Sequence, residues 1–164
     1  MLIKDFDLTT IQENAFVYET HLKNVAKRRA LWQAETKEKI KLTLEVIQKK
    51  FPSLNFIVQV NDFQKNHESV ILKISDHPSG ITEGSSKEGK ARHYVQKGGV
   101  LGFSQMISGK ISVWIEFPFV EDIQELEEPV NELGRIEPTY IAEFIIADYV
   151  TQFLNEIAVF ESKT

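Results

Sequence analysis

The first 51 of 164 residues contain neither glycine nor proline, the two residues that most readily interrupt a helix. Helical spacing of apolar residues runs through the same stretch, so a long N-terminal helix constrains every arrangement open to this chain. Thr10 with Glu13 matches a capping box, in which hydroxyl and carboxylate satisfy the free amides of a first turn, with Asp7 and Thr9 as alternative caps. Leu8, Ile11, Ala15, Tyr18, Leu22 and Val25 then recur in steps of three and four, a stripe that faces one partner surface. Its next places fall on Arg29, Trp32, Thr36 and Lys39, where the apolar pattern breaks. A second stripe, Ile40, Leu44, Ile47 and Phe51, carries the helix to its stop at Pro52. Residues 7–51 therefore form either one long helix with a charged waist at 27–39 or two helices that meet there.

Beyond Pro52 the period changes to two, as strands require. Leu54, Phe56, Val58 and Val60 form one alternating run, and Val70, Leu72 and Ile74 form another. Residues 76–90 hold Pro78, Gly80, Gly84 and Gly89 with several serines, the composition of a long mobile loop. Residues 91–97 are a third strand, broken at Gly98-Gly99. Val100 to Ile107 and Lys110 to Phe117 flank Ser108-Gly109 as a hairpin. With Ile107 opposite Lys110, one face pairs Met106 with Ile111, Ser104 with Val113 and Gly102 with Ile115. The other face then carries Leu101 with Glu116 and Phe103 with Trp114, which makes an apolar outer surface.

Residues 118–138 are a charged connector with seven acids against Arg135 alone. Pro138 is placed to open a closing helix over 139–160, where its missing amide costs nothing. That segment carries Glu143, Asp148 and Glu156 along its length, so it is expected to be a buried helix and not a membrane span. The expected architecture is a single domain over 1–164, two-layer α+β: a long N-terminal helix and a C-terminal helix packed on an antiparallel meander sheet, 54–117, of about five strands.

Charge and composition bound the function. The net charge is −5, divided as +3 over residues 1–52 and −8 over the rest. An acidic body repels phosphate backbones, so nucleic acid would have to use the Lys23, Lys27, Arg28, Arg29 cluster, more simply a solvated helix face. The chain has no cysteine, which excludes disulfides and thiolate-held metals and favours a cytoplasmic setting. The N-terminal residues lack the apolar run of a secretory signal.

Three motifs imitate chemistry without its context. Gly84 to Ala91 has the spacing of a phosphate-binding loop, but alanine stands where a magnesium-holding hydroxyl belongs and strand-like residues follow. Gly102-Phe103-Ser104-Gln105-Met106 falls one residue short of a nucleophile elbow. His67, His77 and His93 with Asp62 and Asp76 lack metal-ligand spacing, and His21 lies on the flank of the first helix. No cofactor, metal or catalytic residue is assigned.

Two readings of function remain. The chain is an interaction or adaptor module, self-associating or binding a protein partner through Leu8, Ile11, Tyr18, Leu22 and Val25 and through Leu101, Phe103 and Trp114 on the sheet. The alternative is a small-ligand domain or enzyme with the sheet's outer face as floor and the 76–90 loop as lid, in which Lys90, Arg92 and His93 are the ligand-binding candidates. The first is favoured, because together those surfaces offer more apolar area than a monomer leaves exposed.

Overall fold

The N-terminal helix is continuous. The computed structural model describes residues 7–61, 68–84, 91–123, 125–126 and 129–163. Helix α1 (Thr9–Leu31) passes through a π-helical turn, Trp32–Thr36, into α2 (Lys37–Lys50), and the linking residues keep right-handed helical torsions. The Lys37 N–H donates to the Trp32 carbonyl, five residues back, which inserts one residue into the spiral. That extra residue explains the two stripes: counted in threes and fours the first reaches Lys39, whereas the second starts at Ile40. The π turn absorbs the offset, so Trp32, Thr36, Ile40 and Leu44 are all buried. The waist is the docking segment.

Five strands form the main antiparallel sheet in the order β1 (Phe56–Asn61), β2 (Ser69–Ile74), β5 (Val100–Gln105), β6 (Ile111–Glu116), β8 (Val130–Ile136). A smaller sheet, β3 (His77–Glu83), β4 (Arg92–Lys97) and β7 (Phe119–Val120), is built from the segments between β2 and β5 and between β6 and β8. The chain returns from the small sheet to the large one through Gly98-Gly99. A Cβ on Gly98 would lie 1.8 Å from the Ile74 carbonyl oxygen, so only glycine permits that crossing. One face of the main sheet is covered by the π turn, α2 and α3 (Glu143–Ser162), with Phe103, Leu101, Val113 and Ile115 packed against Trp32, Ile146 and Phe153 in one core. The fold is α+β, with the long N-terminal helix, the C-terminal helix and the antiparallel sheet that the sequence implies.

Four local expectations are corrected. Residues 77–83 are strand β3, paired with β4; the glycine and proline there accommodate an irregular edge strand, with Gly80 at positive φ beside the register shift. The acidic connector contains β8, an edge strand whose charged residues keep its free side soluble. Pro138 opens a single 3-10 turn, Pro138–Tyr140, and α3 begins only at Glu143. The hairpin register is shifted by one residue: Gly102 pairs with Trp114, Phe103 with Val113 and Leu101 with Ile115.

The last correction has the largest consequence. The hairpin loop has three residues, because the Met106 N–H donates to the Lys110 carbonyl and Gly109, at φ +82°, donates to the Met106 carbonyl. A one-residue slip sends every side chain of a strand to the opposite face. Leu101 and Phe103 are therefore fully buried beneath the helices, while Trp114 stands on the other side of the sheet.

Candidate interaction surface

Helix α1 has no buried residue. Leu8, Ile11, Phe16, Val17, Tyr18 and Leu22 are each between 48% and 70% exposed, and Val25 is half-buried at the root. The helix is roughly 35 Å long at 1.5 Å per residue, and the part before Val25 projects as an arm beyond the body. Helices in proteins gain most of their stability from packing an amphipathic face, and this one buries no side chain in the body. Phe16 and Val17, on other sides of the turn that carries Tyr18, lie off the stripe. They were not legible as surface in the sequence because heptad counting discards apolar residues outside its two positions.

The root of the arm is clamped to the hairpin tip. Arg28 donates from Nε and Nη2 to both carboxylate oxygens of Glu137, each at 2.8 Å, and from Nη1 to the Ser108 carbonyl at 3.1 Å. Arg29 donates to Gln105 Oε1 at 3.1 Å and to the Ile107 carbonyl at 2.8 Å. Gly109 lets the helix approach: a Cβ there would come within 2.7 Å of Arg28 Cβ and 3.2 Å of the Val25 carbonyl. Below the clamp the Trp32 indole N–H donates to Glu68 at 3.0 Å, and Glu68 also pairs with Lys37 at 2.8 Å. Half of the basic cluster is thus engaged within the chain itself.

The clamp gives the arm a pH dependence. The Arg28 hydrogen bonds hold the Glu137 carboxyl below the usual glutamate range. A depressed native pKa means that the unfolded chain takes up the proton first as acid is added. The contribution is complete above the ordinary glutamate pKa and is lost as pH falls through the native value. Glu137→Gln should lower stability by about 1 kcal/mol at neutral pH and bring its acid sensitivity nearer that of the remaining carboxylates. Unfolding midpoints from neutral pH to about pH 3 test this; parallel curves for the two proteins would contradict it.

The apolar sheet face expected from Leu101, Phe103 and Trp114 is not formed. With Leu101 and Phe103 buried, Trp114 lies across Gly102 and its indole N–H donates to Ser104 Oγ at 2.8 Å, while Ser104 and Ser69 share a hydrogen bond of 2.6 Å. Around Trp114 a cleft of about 490 Å³ is lined by His21, Ser104, Met106, Ile107, Ser112 and Arg135 among others. Ser112 and Arg135 both donate to Glu132. The partners of Ser104 are serine and tryptophan, an arrangement that packs a sheet face and does not activate a nucleophile.

Of the candidates around the small sheet, Arg92 and His93 both lie on β4. Lys90 lies outside the described residues, as do Asp62, His67 and most of the Gly84 to Ala91 motif. Arg92 is paired with Asp122 at 2.8 Å and stacks over Tyr94, whose hydroxyl donates to Glu83. His93 is exposed on β4, opposite Thr82. Asp76 accepts from Lys73, Lys97 and the Gly98 N–H, so it is an ion-pair hub joining the two sheets. Among the described residues no three His, Cys, Asp or Glu side chains gather as a metal-binding group.

Fold and surface together define an α+β body with a projecting helical arm. Comparison with known protein families, with curated proteins and with solved structures finds no match. Among the described residues no helix is long and apolar enough to cross a membrane.

Proposed function

We propose that this chain is a protein–protein interaction module whose working surface is the arm α1. The observation that carries the reading is a helix of 23 residues without one buried side chain, bearing five large apolar residues exposed to water, with Leu8 a sixth at its N-cap. A monomer rarely leaves so many large apolar side chains of one element uncovered. The body supplies a rigid mount: the π turn seats Trp32 in the core, and the two arginines fix the direction in which the helix leaves. The sheet face no longer contributes, since Leu101 and Phe103 are consumed by the core.

The test is the native mass by light scattering. The wild-type particle should be heavier than one chain, and Leu22→Glu should move it toward one chain while the chain stays folded, because Leu22 lies outside the core. A wild type that runs as a single chain at every concentration would overturn the proposal.

A further inference from the structure

We infer that the occupant of the arm is a second copy of this chain, with the two α1 helices running antiparallel; the inference rests on the reading of α1 as the working surface. The first argument is charge. From Asp7 to Glu19 the arm carries acids and no lysine or arginine, whereas from Lys23 to Arg29 it carries bases and no acid. Arg28 and Arg29 are committed to the clamp, which leaves Lys23 and Lys27; parallel pairing sets like charge against like, and antiparallel pairing lays the acidic stretch of each arm along those two lysines of the other. It also opposes the two helix dipoles.

The second argument is size. In antiparallel register Leu8 meets Val25, Ile11 meets Leu22, and Ala15 meets Tyr18, so the bulkiest residue of the stripe faces the smallest. The third is continuity. Trp32 and Thr36 occupy the next places of the same stripe and are buried against the chain's own sheet, so the seam that a second copy would cover extends one the fold already uses. Ile107, 77% exposed on the hairpin tip and tied to Arg29 through its carbonyl, stands at the root where the partner's amino end would arrive.

The absence of native cysteine makes the orientation measurable. Leu8→Cys and Val25→Cys are prepared as separate full-length proteins, oxidised alone and oxidised as a mixture, with native mass followed in parallel. The expected result is a cross-linked pair in the mixture and little in either protein alone, on a particle holding an even number of chains, with cross-linking that falls as salt is raised. Self-cross-linking of each protein alone would establish parallel pairing and overturn the inference while leaving the arm as the interaction surface. A heavy particle without cross-links in any sample would place the contact between copies away from the Leu8–Val25 pairing and overturn the inference. A single-chain mass would remove both. Phe16→Cys, near the centre of the antiparallel register but off the seam, controls for random collision and should cross-link slowly.

Discussion

Replacing Trp32 by alanine should destabilise the protein by about 3–5 kcal/mol, a large part of the stability of an ordinary domain. The indole is fully buried in the π turn that rephases the helix, so its removal leaves a cavity where arm, sheet and Glu68 meet. The surroundings have little freedom to collapse, because Arg28 and Arg29 on one side and Ile40 and Leu44 on the other hold the helix to the sheet. Urea unfolding followed by far-ultraviolet circular dichroism measures the loss, and Trp32→Phe divides it. Phenylalanine keeps most of the packing but forfeits the bond to Glu68, so it should cost appreciably less than alanine. A penalty below about 1 kcal/mol for Trp32→Ala would mean that the waist is not the anchor of the arm.

Gly102→Val should be the other severe substitution, costing about 3 kcal/mol or more through overpacking. A Cβ at this position would lie 2.1 Å from Trp114 Cε2 and Cζ2, a rigid ring system that can retreat only by giving up its hydrogen bond to Ser104. The prediction has a built-in control, because Trp114→Ala removes the obstacle. The double variant Gly102→Val, Trp114→Ala should then recover part of the stability, a positive coupling that independent sites do not show. Trp114 emission in the single variant should shift to longer wavelength as the ring is expelled into water. Strict additivity of the two substitutions would show that Gly102 does not form the bed of Trp114, and with it that the observed hairpin register is wrong.

That register separates what the pattern of residues conveys from what it leaves open. Alternation in 100–117 identifies a hairpin, and a slip of one residue preserves the alternation while exchanging the faces. The choice between registers depends on Gly109 entering the left-handed region to close a three-residue loop, and on helices arriving over Leu101 and Phe103. Strand β8 was hidden for a related reason: Asn131, Glu132 and Arg135 suit an edge strand but read as connector, since the pairing that makes them a strand lies in β6. Strand β3 was hidden by Gly80 and Pro78, which an irregular edge tolerates.

The candidate surface was partly legible. Leu8, Ile11, Tyr18 and Leu22 were read from spacing and are exposed; Leu101 and Phe103 were assigned to the same role and form the core. Both sets are apolar at the right period, and periodicity reports only that a face exists.

By itself the sequence determined the extent of the long helix, the switch to strands after Pro52, the C-terminal helix and the stripe along the arm, because each follows from local torsional preference and side-chain period. Only the tertiary structure decided that the apparently broken waist of Arg28, Arg29, Trp32 and Thr36 is where the helix docks and that the unbroken stripe is left in water. The physical reason is that burial belongs to pairs of surfaces: an apolar row is covered only where the sheet and its hairpin reach, and the sheet ends before the arm does.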